Sequence, residues 1–178
     1  QINLKNQDSE KNLQILEAQD IDLALVAVPK HLSPNQRVFL EQDVEDIFVA
    51  SPKYLENLKA LHVNDFSLFQ DATVMLMDEK NVSRHYIDMY IRENQLDFKQ
   101  IIALNTMDLL IDFAKIDMGI SCVIRSFVEK DLENGSLVEI HLTSPIPKRK
   151  IGFMYHANNC SKSLESFISF LEKRKGKA

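Results

Sequence analysis

Apolar residues fall along this chain in two alternating rhythms. Short runs that are apolar almost throughout alternate with stretches in which apolar residues recur every three or four positions. These are the patterns of buried strands and amphipathic helices. Asp22 to Val28 is nearly continuous in apolar residues and stops at Pro29, which cannot donate to a sheet ladder. It reads as a central strand covered on both faces. Thr73 to Met77, Ile101 to Leu104, Ile120 to Ile124 and Ile151 to Tyr155 read as further strands. Shorter extended pieces are expected at Ile2 and Leu4, Val38 to Leu40, Ile47 to Ala50, and Leu137 to Ile140.

Helices fit between these strands. Asp8 or Ser9 can cap one carrying Leu13 and Leu16, and Ser51-Pro52 opens another through Leu55 and Leu58. Ser83 can cap a helix with Ile87, Tyr90 and Ile91 on one face. Thr106 caps a longer one, whose Met107, Leu110, Ile111 and Ala114 fall at i, i+3, i+4 and i+7. Gly119 is expected to let the chain turn sharply into the strand at Ile120. Ser126 and Glu129 have capping-box spacing, and Asn134-Gly135 ends that short helix. A last helix follows Ser161 or Ser163, with Leu164, Phe167, Ile168 and Leu171 along one stripe. The alternation predicts an α/β sandwich with largely parallel sheets.

Composition narrows the classes. The 178 residues are 45% hydrophobic, enough for a substantial core, and 4 Gly with 5 Pro argue against a disordered or fibrous chain. The 21 basic and 26 acidic residues give a net charge of -5, a poor surface for nonspecific nucleic-acid binding. The basic groups Lys148, Arg149, Lys150 and Lys173, Arg174, Lys175, Lys177 read as a solvated loop and tail. Cys122 lies in an apolar run and reads as a buried thiol, and Cys160 sits in a turn; nothing demands a disulfide. No apolar stretch approaches the length of a membrane span. Gln1 as first residue leads us to expect coding sequence further upstream.

The search for catalytic chemistry finds little. Ser83, Ser121 and Cys122 lie in no nucleophile elbow, and His31, His62, His85, His141 and His156 form no metal-binding pair. His31 and His85 lie near predicted strand ends, where a ligand contact and a solvated or structurally bonded ring are both open. The four glycines, at positions 119, 135, 152 and 176, cannot build a phosphate-cradling loop. Asp20 with Asp22, and Asp43 with Glu45 and Asp46, read as solvated carboxylates. Neither a cofactor nor a metal is expected. Three strand ends remain as ligand candidates: Val28-Pro29, the loop into the helix at Ser83-Arg84, and Asn105-Thr106. Ligands in open α/β sheets sit beyond strand carboxyl ends, where free helix N–H groups offer donors. Simple capping is the competing reading for Ser83 and Thr106, and one residue can do both.

Several segments resemble the regulatory domain of LysR-type transcription regulators. Asp20-Ile21-Asp22-Leu23-Ala24-Leu25-Val26 is similar to the family's strand before the cleft, Ile47 to Pro52 to its crossover segment, and Ser83-Arg84 to the hydroxylic residue and arginine opening the next lobe's helix. The strongest match is NTMDLLIDFAKIDMGISCVIRS, Asn105 to Ser126. Asn134-Gly135-Ser136-Leu137-Val138, then Ser163 to Leu171, resembles the family's ending. The order and spacing of these motifs carry the resemblance over essentially the whole chain.

The resemblance implies an α/β, two-lobed, periplasmic-binding-protein-like (type 2) fold, with lobe I over 1–46 and 144–178 and lobe II over 47–143. It implies a small polar or anionic effector between the lobes and no enzymatic activity. Ser83, Arg84 and Thr106 are the carried-over ligand contacts, with Val28, Pro29 and Ile120; Arg84 can meet an anion or brace its loop. Dimerisation, a cytoplasmic location and DNA contact only through an N-terminal helix-turn-helix domain, absent here, are also implied. The family's usual first strand and helix have no counterpart in these residues, so neighbours of that strand are expected to expose backbone donors and acceptors. Ile124 stands where the family often has proline, and Asp20 where glycine is common. A solute-binding protein of a transport system is the alternative with the same fold class.

Overall fold

The structure is a computed structural model that describes residues 9–29, 31–61 and 67–175, together with Asn3. The strand expected at Ile2 and Leu4 and the cap at Asp8 lie outside the described residues. The chain opens with α1 (Ser9–Glu17), β1 (Ala24–Ala27), β2 (Gln36–Val44), β3 (Asp46–Ala50), α2 (Pro52–Leu61), α3 (Leu68–Asp71) and β4 (Thr73–Met77). It continues with α4 (Val82–Glu93), β5 (Gln100–Leu104), α5 (Met107–Lys115), β6 (Ile120–Ile124) and α6 (Glu129–Glu133). It closes with β7 (Val138–Ile140), β8 (Arg149–His156) and α7 (Lys162–Lys175). Two compact units result, one from residues 1–43 and 149–178, the other from 44–148.

Among the described residues the first unit holds a three-stranded sheet in the order β1-β8-β2. β1 and β8 are antiparallel, pairing Ala24 with Met154 through Ala27 with Ile151. This corrects one expectation: among the described residues β1 pairs on one side only, with β8, and so is an edge strand instead of a central one. Its apolar run misled because only Ala24 and Val26 turn inward, whereas Leu25 is 50% exposed. Leu16 of α1, Ala24, Val26 and Met154 form the core on one side. On the other, Leu164 and Ile168 of α7 pack on Phe39. Phe167 departs from the expected stripe and faces outward.

The second unit is a five-stranded sheet ordered β5-β4-β6-β3-β7. β4 runs parallel to β5 and β6, while β3 is antiparallel to both β6 and β7. The sheets are therefore mixed, not largely parallel. Alternate residues enter opposite layers, as strand pleating requires. Phe48, Ala50, Val74 and Leu76 pack with Leu58, Ile87 and Tyr90; Ile47, Val49, Met75 and Val123 pack with Leu110, Ile111 and Ala114 of α5. Burial on both faces explains why β3, β4 and β6 read as continuous apolar runs.

Local signals were shifted in three places. α4 is capped by Asn81, whose side chain accepts from Ser83 N, so Ser83 lies within the first turn. The turn into β6 uses Asp117 at φ 66°, while Gly119 is needed because a Cβ there would meet Thr73 O at 2.5 Å. α6 has no side-chain cap, so the Ser126–Glu129 capping box does not form.

Asp117 also ties α2 to this turn. Ser51 Oγ donates to Asp117 Oδ1 at 2.5 Å and accepts from Tyr54 N at 3.0 Å, and Lys53 Nζ lies 2.8 Å from Asp117 Oδ2. The Lys53 ammonium, and next the Ser51 hydroxyl, hold the Asp117 carboxyl below its ordinary value. A depressed folded value contributes stability above the unfolded pKa, about 3.9, and loses it as pH falls through the folded value. Asp117→Asn, which still accepts the left-handed backbone, should therefore melt below the wild type at neutral pH. The gap should close as the medium is acidified below about pH 3.9. A pH-independent gap in thermal melts would contradict the carboxylate's role.

Candidate functional site

The parallel strands β4 and β5 end side by side, with Met77 opposite Leu104. Each is followed by a helix start, so the N-termini of α4 and α5 rise from adjacent strand ends. The loop after β4 is held by backbone bonds: Asp78 N donates to Leu104 O at 2.8 Å and Asn81 N to Asp78 O at 2.9 Å. Lys80 N donates to Asp78 Oδ1 at 3.0 Å. Thr106 caps α5, its hydroxyl accepting from Leu109 N at 3.4 Å, and it is exposed. Asp108 occupies the first turn, where unpaired N–H groups favour negative charge.

Arg84 is 7% exposed. Its Nε donates to Asp88 Oδ1 at 2.7 Å and its Nη1 to Met77 O at 2.9 Å. These bonds brace the loop: the guanidinium pins α4 to the last carbonyl of β4. Ser83 and Arg84 line a small recess with Asp46, Leu76, Met77, Ile87, Met107 and Cys122. Its cavity volume is ≈ 10 Å³, about the room one water needs.

The structure thus brings Ser83 and Arg84 together and sets Thr106 at the neighbouring strand end. Ile120 is not part of this group. It pairs with Val74 near the start of β4, and its side chain is fully buried in the core. Val28 and Pro29 follow β1 in the first unit, half-buried, with Val28 N donating to Lys150 O at 2.8 Å. His31 and His85 are exposed. Asp46, read as solvated, is 3% exposed and lines the recess. Only its place at the foot of an apolar strand could have hinted at that.

Ser121 Oγ donates to Leu110 O at 2.6 Å, tying β6 to α5, and Cys122 is a buried thiol that forms no disulfide. Among the described residues, no three His, Cys, Asp or Glu side chains gather to hold a metal ion. Among them, too, no helix is long and apolar enough to cross a membrane.

The family model described as the LysR substrate binding domain matches residues 1–176. The chain belongs to this family. The fold agrees: the regulatory domain of HypT from Salmonella typhimurium, bromide-bound, superposes with a TM-score of 0.77 at 12% identity, covering 97% of this chain and 81% of that one. The regulatory domain of CcmR from Synechocystis PCC6803, in complex with 2-PG, gives 0.74 at 15% identity, covering 96% and 81%. The effector binding domain of QuiR in complex with shikimate gives 0.71 at 16% identity, covering 96% and 79%. No curated protein matches in sequence. LysR substrate binding domains serve transcription regulators, so the regulatory reading stands over transport, with the type 2 periplasmic-binding-protein-like fold.

Proposed function

We propose that this LysR-family domain senses a small polar or anionic metabolite, and that the effector seats on the second unit where α4 and α5 begin. The observation that carries the reading is the adjacency of these two helix starts, with Ser83 in one and Thr106 capping the other. Free first-turn N–H groups and two hydroxyls supply donors to a ligand oxygen, and the helix dipoles favour negative charge. Arg84 adds positive potential while bracing the loop. The ligands of the solved relatives, among them bromide, 2-PG and shikimate, support a small polar or charged effector.

In this reading the domain works in the cytoplasm as part of a dimer and acts without catalysis. Effector binding alters dimer geometry, and DNA is contacted through a helix-turn-helix domain outside these residues. The full-length structure of HypT, described as a LysR-type transcriptional regulator and covered to 58% by this chain, supports a place within a longer transcription regulator.

Thermal-shift screening of small carboxylates and phosphorylated acids, followed by calorimetry of the best binder, tests the placement. Joint Ser83→Ala and Thr106→Ala substitution should weaken that binder at least roughly tenfold, the loss of one to two hydrogen bonds to a charged group. Unchanged affinity in the double variant would remove the effector from this position.

A further inference from the structure

Two runs of opposite charge meet in the structure, at Lys150–Glu41 and at Lys148–Glu45. The backbone leaves the first unit after Asp43 and returns to it at Arg149. On the first-unit side of these crossings, Lys150 Nζ lies 2.9 Å from Glu41 Oε2. That bond holds the Lys150 ammonium above its ordinary value. On the second-unit side, Lys148 Nζ lies 3.7 Å from Glu45 Oε2, and Arg125 Nε lies 3.2 Å from the same oxygen. Arg125 Nη2 reaches Glu139 Oε1 at 2.6 Å, anchoring the cluster to β7.

The outgoing segment carries Glu41, Asp43 and Glu45, and the returning one Lys148, Arg149 and Lys150. Each run repels itself and attracts the other. Backbone bonds end on the same residues: Arg125 N donates to Glu45 O and Val28 N to Lys150 O, both at 2.8 Å.

We propose that these charges form an electrostatic ladder that binds the outgoing and returning segments into one connection, so that ionic strength sets how readily the connection opens. The ladder goes beyond effector sensing and operates with or without a ligand. Single exposed pairs contribute little. Here two rungs flank the crossings and Arg125 joins one of them to the sheet. Lys148 and Lys150 side chains are 61% and 58% exposed, which leaves both rungs open to screening by salt.

Amide exchange of the whole chain, read by NMR at Val28 and Arg125, tests this. Raising salt from about 0.05 M to about 1 M shortens the screening length to about 3 Å. Exchange at both amides should then quicken roughly two- to five-fold, the factor that weak pairs supply, while the amide of Met75 in β4 stays unchanged. Lys148→Met with Lys150→Met should show the faster exchange already at low salt and respond no further. Exchanging the rung, Glu41→Lys with Lys150→Glu, should restore protection. Salt-independent exchange at Val28 and Arg125 in the wild type would overturn the ladder, as would a charge-exchanged rung no better protected than the double Met variant.

Discussion

Phe48→Ala is expected to cost the second unit about 3–5 kcal/mol, the range for emptying a fully buried aromatic site. Phe48 is 0% exposed at the centre of β3. Its ring meets Phe69 edge-on at 5.2 Å and Phe98 at 6.1 Å, and those two rings lie 5.2 Å apart. Truncation therefore removes one ring's burial and two aromatic contacts, each adding about 0.5–1.5 kcal/mol beyond area. A chain of two units need not unfold in one step, so the readout should belong to the second unit. Cys122 is buried there opposite Phe48 in the β3–β6 pairing, while Cys160 belongs to the first. Labelling of the Cys122 thiol across a urea series should shift to markedly lower urea in Phe48→Ala, with Cys160 much less affected. A shift worth under about 1 kcal/mol, less than a single aromatic pair and its burial, would mean that the three-ring cluster does not carry this core.

The second large effect is one of sign. Gly→Ala outside the left-handed region usually stabilises by about 0.4–1 kcal/mol, through the unfolded chain. At Gly119 the opposite is expected, a loss of about 1–3 kcal/mol from overpacking. The new Cβ would meet Thr73 O at 2.5 Å, a backbone atom. Thr73 cannot easily give way, since its N accepts no slack: it donates to Tyr54 Oη at 2.9 Å, while Thr73 Oγ1 donates to Gln100 Oε1 at 2.9 Å. Relief must come by parting β4 from β6 where Val74 pairs with Ile120. Thermal melts of Gly119→Ala decide the sign directly; a melting point at or above the wild type would refute the close approach.

Much of the second unit was legible because its elements obey local rules. In α5 the cap at Thr106 and the stripe through Leu110, Ile111 and Ala114 are set within one stretch of chain. β4, buried on both faces, announces itself by composition. What escaped depends on distant parts of the chain. The apolar run at β1 matches a central strand, yet among the described residues it pairs on one side only, with β8, more than a hundred residues later. Gly119 was recognised as special, but its reason is Thr73 O and the turn itself belongs to Asp117. Asn81 and Ser83 both suit a cap, and only the backbone chose between them.

The candidate site follows the same division. Ser83 and Thr106 could be found from their positions before helices, and Arg84 from its motif. The bonds of Arg84 to Asp88 and Met77 O could not. Asp46 looked like its solvated neighbours Asp43 and Glu45, since burial of one carboxylate in three leaves no mark on composition. Nor could the charges at 41–45 and 148–150 be matched to each other, because nothing local links them.

The strand order of the first unit bears on how the protein is made. β8 lies between β1 and β2, so the two earlier strands have no shared partner until residues 149–156 emerge from the ribosome. The second unit is contiguous and can fold while synthesis continues, as domains generally do. Until then Val26 and Phe39, buried in the finished unit, have no sheet to join. The segment carrying β1 and β2 therefore waits while residues 44–148 are synthesised, as a natural client for a chaperone.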